Sequence, residues 1–106
     1  MEKENALYLI EPGPRPPFGE LADHLFGIDA DVDTDGNSMR ADDMLWTELS
    51  VALRSDGENA RVCVDPVCEQ PLVLEVRSPR AELAQRAAAF LQLRCGGGIA
   101  EAWPVG

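Results

Sequence analysis

Cations are scarce in this chain, and their scarcity argues against several kinds of partner. Nine Lys and Arg side chains stand against nineteen Asp and Glu side chains, which gives a formal net charge of -10 at pH 7. Binding to nucleic acid through its phosphates requires clustered Lys and Arg that release counterions. An anionic membrane surface attracts the same residue types. The composition therefore predicts neither a nucleic-acid partner nor a membrane partner.

Long hydrophobic runs and an even set of cysteines are also missing. Even the longest apolar runs, such as 87–91, are far shorter than the roughly 20 residues of a membrane-spanning helix. Residues 1–5 lack the charged-then-apolar pattern of a signal peptide. An odd number of cysteines, three, favours thiols over a disulfide framework. We therefore expect a cytoplasmic protein.

Signatures of catalysis and of zinc binding are equally sparse. His24 is the only histidine, and no Cys or Ser nucleophile motif accompanies it, so the sequence predicts no enzymatic activity. Cys63, Cys68 and Cys95 are zinc ligand types, as is His24, but their spacing is wider than that of a zinc knuckle. Small buried thiols are the simpler interpretation. We predict no cofactor and no metal ligand.

The hydrophobic pattern predicts a single α+β domain over 1–106, a length that suits one core. The predicted elements are a strand at 6–10, a stiff Pro-rich connector at 11–17, a helix at 18–26, an exposed acidic loop at 29–43, strands at 47–53, 61–65 and 72–77, a helix that begins at Ser78-Pro79 and ends at 96–98, and a strand at 99–103. The three middle strands form a meander. We expect a single-layer, mostly antiparallel sheet packed by two helices, as a variant of the ferredoxin-like arrangement.

Negative charge is concentrated in one segment. Residues 20–43 account for -7 of the formal net charge of -10, with eight carboxylates against one cation, Arg40. Such a field costs self-repulsion in the compact state and is most easily explained if a basic partner or a metal ion meets it. Trp46 follows this segment and is either packed on the second face of the sheet or an exposed interface anchor. The predicted partner-binding residues are Glu20, Asp23, Asp29, Asp31, Asp33, Asp35, Asp42, Asp43 and Trp46.

Residues 31–42 have the spacing of a calcium loop, with acids at positions one, three, five and twelve and Gly36 at the sharp turn. Those acids are Asp31, Asp33, Asp35 and Asp42. The segment resembles a dockerin loop more than an EF-hand, and it departs from both families at Ser38, where a branched apolar residue normally stands. A solvated aspartate-rich turn is the alternative interpretation.

Five short stretches between 46 and 98 carry a second resemblance. They are Trp46-Thr-Glu-Leu49, Arg61-Val-Cys-Val-Asp65-Pro66, Pro71-Leu-Val-Leu-Glu-Val76-Arg-Ser78, Leu83-Ala to Phe90-Leu91, and Gly96-Gly97. They are similar to the C-terminal half of small immunity proteins that accompany bacterial polymorphic toxins. The resemblance implies a small, cytoplasmic, acidic protein that binds a cognate basic toxin domain and blocks it. A calcium-binding module and an acidic mimic of nucleic acid are the alternative functions.

Overall fold

The described part of the chain forms one six-stranded antiparallel sheet with two helices packed on it. The computed structural model describes residues 5–36, 46–55 and 60–101. The elements are β1 (Asn5–Ile10), α1 (Phe18–Phe26), β2 (Val32–Gly36), β3 (Leu49–Leu53), β4 (Arg61–Glu69), β5 (Leu72–Ser78), α2 (Ala81–Cys95) and β6 (Gly98–Ala100). The predicted α+β class, with one antiparallel sheet and two helices, is confirmed.

The strand order is β2-β3-β4-β5-β1-β6, and every neighbouring pair is antiparallel. The predicted three-stranded meander is present as β3 to β5, and β2 extends it to four strands. The acidic segment 29–43, predicted to be a loop, therefore contains an edge strand. Asp and Gly have low β propensity, but pairing with β3 and the packing of Val32 against the core stabilise the strand.

The core lies between the sheet and the helices. Alternating residues of β3 and β4 point toward the helices, and Val51, Val62 and Val64 are fully buried there. The helix α2 contributes buried residues on one face at helical spacing, and these are Leu83, Ala84, Ala87, Ala88 and Leu91. Small alanines on that face allow the helix to pack closely on β1 and β5.

Several element boundaries differ from the sequence prediction, and β3 begins at Leu49 and not at residue 47. The helix α2 begins at Ala81 and not at Ser78-Pro79, because Ser78 ends β5 opposite Asn5 of β1. The Ser78 hydroxyl accepts a hydrogen bond from the Arg80 amide at 3.1 Å, just before the helix. The strand β4 runs on past Pro66 through a register shift, where a missing amide donor is tolerated. The strand β6 begins one residue earlier than predicted and ends at Ala100, before the predicted end at 103.

Within the residues that the structure describes, neither helix has the length and apolar character that crossing a bilayer requires.

Candidate functional site

Three of the predicted partner-binding aspartates lie on one side of the sheet edge. Asp33 and Asp35 belong to β2, the terminal strand of the sheet, and Asp31 precedes it. Successive side chains of a strand alternate between its faces. Val32 packs against the core, so the three aspartates project from the opposite face, and all three are exposed. They form a row in which neighbouring positions are about 7 Å apart. We call this row the acidic edge.

Polar side chains continue this face across the next strands. Asp35 is opposite Ser50, Ser50 is opposite Cys63, and Cys63 is opposite Arg77. Because directly opposed residues of an antiparallel sheet share a face, these side chains cross the sheet in one line. They border a shallow cleft of about 350 Å³. Along this line the face opposite the helices is therefore polar, in contrast to the apolar core face.

Two arginines border this cleft among the described residues, and both are held by their neighbours. Arg77 Nη2 donates to Asp65 Oδ2 at 2.7 Å, and Arg77 Nε lies 3.3 Å from Glu75 Oε1. Arg61 Nη1 donates to the Ser50 hydroxyl at 2.8 Å. Carboxylates on the same face thus oppose the charge of Arg77, so the cleft adds little positive potential beside the acidic edge.

The acidic edge itself has one ion pair among the described residues. Arg54 Nε lies 3.4 Å from Asp31 Oδ1, and both side chains are more than half exposed. Exposed pairs of this kind contribute about 0–1 kcal/mol and are screened by salt. The Asp35 carboxylate accepts a hydrogen bond from the Gly36 amide at 2.9 Å. The row therefore keeps most of its negative field toward solvent.

The remaining predicted acids do not join this row. Glu20 and Asp23 lie on α1, which packs on the opposite side of the sheet, and Glu20 is hydrogen-bonded to Arg94 of α2. Asp29 is exposed between α1 and β2. Asp42 and Asp43 lie outside the described residues. Within the described chain, the structure thus separates Glu20 and Asp23 on the helix side from the acidic edge, with Asp29 between them.

Trp46 is not an interface anchor. It is 1% exposed and belongs to the core cluster. Its indole Nε1 donates to the Pro16 carbonyl oxygen at 2.7 Å, and its own carbonyl accepts from Arg15 Nε at 2.8 Å. The alternative prediction, that Trp46 packs on the second, outer face of the sheet, is also wrong, because Trp46 lies in the core between the sheet and the helices. The Pro-rich connector supplies the polar partner that a buried tryptophan requires.

The calcium-loop resemblance stays a prediction. Its first six residues enclose the extended strand β2, in which alternate carboxylates project side by side and not around a centre. Its last proposed ligand, Asp42, is outside the described residues. Among the residues with described positions, no group of three or more His, Cys, Asp or Glu side chains is arranged to hold a metal ion.

The histidine and the cysteines are placed apart. His24 stacks on Phe90 of α2 with ring centroids 4.5 Å apart. The three cysteines, Cys63, Cys68 and Cys95, are free thiols, as predicted. They are half-buried, whereas we expected them to be fully buried. Burial raises the pKa of the Cys95 thiol, while nearby Arg15 and Arg94 lower it. His24 and Cys95 are thus packed side chains near the ends of α1 and α2, and Cys63 and Cys68 are packed side chains on strand β4.

Comparison of the chain with protein-family models, with curated proteins and with solved structures gives no match.

Proposed function

We propose that this chain is a non-enzymatic binding protein, an immunity protein that neutralises a cognate basic bacterial toxin domain by direct contact through its acidic surface. The observation that carries the proposal is the acidic edge, where Asp31, Asp33 and Asp35 project together from one strand into solvent. The similarity of the stretches between 46 and 98 to small immunity proteins supports the toxin as the partner.

The physical argument concerns the cost of crowding like charges. Each aspartate of the row repels the next across about 7 Å, and one exposed arginine, Arg54, offsets little of that repulsion. A basic surface removes the repulsion on binding. It is also steered toward the row, which raises the association rate and disfavours acidic partners.

A pairwise binding experiment tests the proposal. The protein domain encoded next to this chain in its genome is the binding partner to use, and its toxicity on expression is the cellular readout. Co-expression of this chain should restore growth, and the purified pair should associate at a rate that falls steeply with salt. A neighbour that neither binds nor is neutralised would refute the toxin-inhibitor assignment.

A matched pair of variants locates the contact. Replacement of Asp31, Asp33 and Asp35 by Asn should lower the association rate by at least about tenfold at low salt. The control replaces three other exposed acids, Glu11, Glu69 and Glu101, by Gln, so that the net charge changes equally. Equal losses in both variants would mean that only net charge matters, and the acidic edge would then have no special role.

A further inference from the structure

The alternation of hydrogen-bonded and non-hydrogen-bonded pairs between β2 and β3, which we call the phase of the pair, determines which backbone groups of β2 point away from β3. That side of β2 is its open side, because β2 is the terminal strand of the described sheet. The Arg54 amide donates to the Asp31 carbonyl at 3.0 Å, so these two residues form a hydrogen-bonded pair. In an antiparallel ladder such pairs alternate with non-hydrogen-bonded ones, and the register runs without a shift to the end of β2. The backbone groups that point away from β3 are therefore those of Val32, Thr34 and Gly36.

Two observations agree with this phase. The Gly36 amide donates to the Asp35 carboxylate, as an outward amide at the end of an edge strand would. Over residues 5–36, 46–55 and 60–101, no hydrogen-bond partner is present for the outward groups of Val32 and Thr34. An edge with such groups is a template for one more strand.

The two faces beside this edge specify different side chains in an added strand. On the outer face, the Cβ atoms of Asp33 and Asp35 would lie about 4.5–5.5 Å from the Cβ atoms of the directly opposed residues in the added strand. Lysine or arginine is favoured at those opposed positions. Beside the core face, at the end of β2, a pocket of about 150 Å³ is lined by Phe18, Thr34 and Leu49 together with Asp35 and Gly36. Its apolar walls, Phe18 and Leu49, would favour an aliphatic side chain of the added strand at this position. The fitting pattern is thus an alternation of basic and aliphatic residues.

The same edge disfavours a second copy of this chain. Pairing of β2 with another β2 would bring aspartate rows together, and like charges directly opposed on a sheet are destabilising. The other terminal strand, β6, offers only three residues. Of the two described edges, β2 is the longer one and the one whose charge selects a basic strand.

We infer that the partner binds by β-strand addition to the open side of β2, through an extended segment in which basic and aliphatic side chains alternate. This inference rests on the proposed function for the basic character of the partner. It adds the binding mode and the sequence pattern of the contacting segment. The backbone groups of Val32 and Thr34 provide the hydrogen bonds, and the acidic edge provides the selectivity.

Hydrogen exchange with a synthetic peptide tests the mode without the natural partner. The peptide consists of four Lys-Val repeats with blocked termini, and the control has the same composition with all lysines preceding all valines. Binding of the alternating peptide should slow exchange of the Val32 and Thr34 amides by at least about tenfold and leave the inward Asp33 amide unchanged. No slowing, or equal slowing by the block peptide, would overturn the inference.

A backbone substitution tests the same mode in the complex with the neighbouring toxin domain. Thr34→Pro removes an outward amide, which an edge strand tolerates, whereas Thr34→Val keeps the amide and the side-chain shape. We expect the dissociation constant to rise at least about tenfold for the proline variant and less than about threefold for valine. Unchanged binding by a folded Thr34→Pro variant would overturn strand addition.

The two proposals fail in different ways. If the triple Asn variant binds more weakly while Thr34→Pro does not, the acidic contact stands and strand addition is wrong. If neither variant binds more weakly, the acidic edge is not the contact, and the proposed binding surface is wrong. If Thr34→Pro does not fold, the exchange experiment with the wild-type chain decides.

Discussion

Arg15 Nε donates a 2.8 Å hydrogen bond to the carbonyl oxygen of Trp46, thirty-one positions along the chain. A second donor of the same guanidinium, Nη1, bonds to the Gly13 carbonyl, and the Trp46 indole bonds back to Pro16. Arg15 is 6% exposed. These bonds attach the Pro-rich connector to the segment that leads into β3, and thereby fix one end of the core beneath the sheet.

Trp46→Phe tests this attachment. The substitution keeps an aromatic ring but removes the indole donor, which leaves the buried Pro16 carbonyl without its partner. We expect a loss of about 1–3 kcal/mol in the free energy of unfolding, measured by urea denaturation. Arg15→Lys is the companion variant, because lysine keeps the charge but lacks the planar fork of donors. A change below about 0.5 kcal/mol in both would show that the attachment is not stabilising.

Two adjacent glycines provide a matched pair for backbone strain. A Cβ atom on Gly97 would lie 2.5 Å from the Ile10 carbonyl oxygen, and the φ angle there is +92°. At Gly98 a Cβ atom meets nothing within 4 Å. We expect Gly97→Ala to cost about 2–4 kcal/mol and Gly98→Ala to change stability by less than about 0.5 kcal/mol, as thermal unfolding would show. Equal effects would contradict the close approach.

Tyr8 predicts a pH dependence. Its hydroxyl donates to Glu75 at 3.0 Å, and this bond raises the pKa of the phenol above its ordinary value, with burial and the Glu75 charge acting in the same direction. Because the folded pKa exceeds the unfolded one, the stabilisation is complete below about pH 10 and is lost as pH rises through the folded pKa.

The phenol can be titrated directly, since Tyr8 is the only tyrosine. Ultraviolet titration should give a pKa for Tyr8 above its ordinary value in the wild type and a lower one in Glu75→Gln. Tyr8→Phe should remove the corresponding part of the alkaline loss of stability. A Tyr8 pKa that is the same in the wild type and in Glu75→Gln would contradict the contact.

Because the aspartates of the acidic edge repel one another, we predict that the middle one, Asp33, lowers the stability of the fold. Asp33→Asn preserves shape and removes the middle charge of the row. We expect a gain of about 0.3–1 kcal/mol at low ionic strength, which disappears near 1 M salt because the Debye length falls to about 3 Å. Glu101→Gln, an exposed acid elsewhere, is the control. A loss of stability in Asp33→Asn would show that repulsion in the row is unimportant.

Calcium should leave the melting temperature unchanged. In the extended strand β2 neighbouring aspartates of the row are about 7 Å apart, whereas calcium requires six to eight oxygens at about 2.3–2.6 Å. Differential scanning calorimetry with and without millimolar calcium measures this, with magnesium as the control ion. A rise in melting temperature specific to calcium would favour the calcium-module alternative, since binding to the native state stabilises it.

Elements with a strong hydrophobic period were predictable from the sequence. The helix at 18–26 has Leu21 and Leu25 one turn apart, and both are buried as predicted. The alternation from Leu49 to Leu53 and the flanking turn residues predicted β3 and its hairpin partner β4. In each case local spacing and burial favour the same structure, so the pattern is sufficient.

The strand β2 and the position of Trp46 were not predictable in this way. Val32–Gly36 contains aspartates and a glycine, which are typical of turns, and it becomes a strand because β3 offers a complementary edge. Trp46 is next to the acidic segment in sequence, yet it is buried because Arg15 and Pro16 meet its polar groups. Both outcomes depend on partners distant in the chain.

The sequence by itself determined the concentration of negative charge, the two helices and the central meander, because composition and periodicity are local properties. Only the tertiary structure decided that Asp31, Asp33 and Asp35 form one row at a sheet edge and that Glu20 and Asp23 lie on the helix side. The physical reason is the register of the β2–β3 pair. A shift of one residue in that pair would turn all three carboxylates of the acidic edge toward the core.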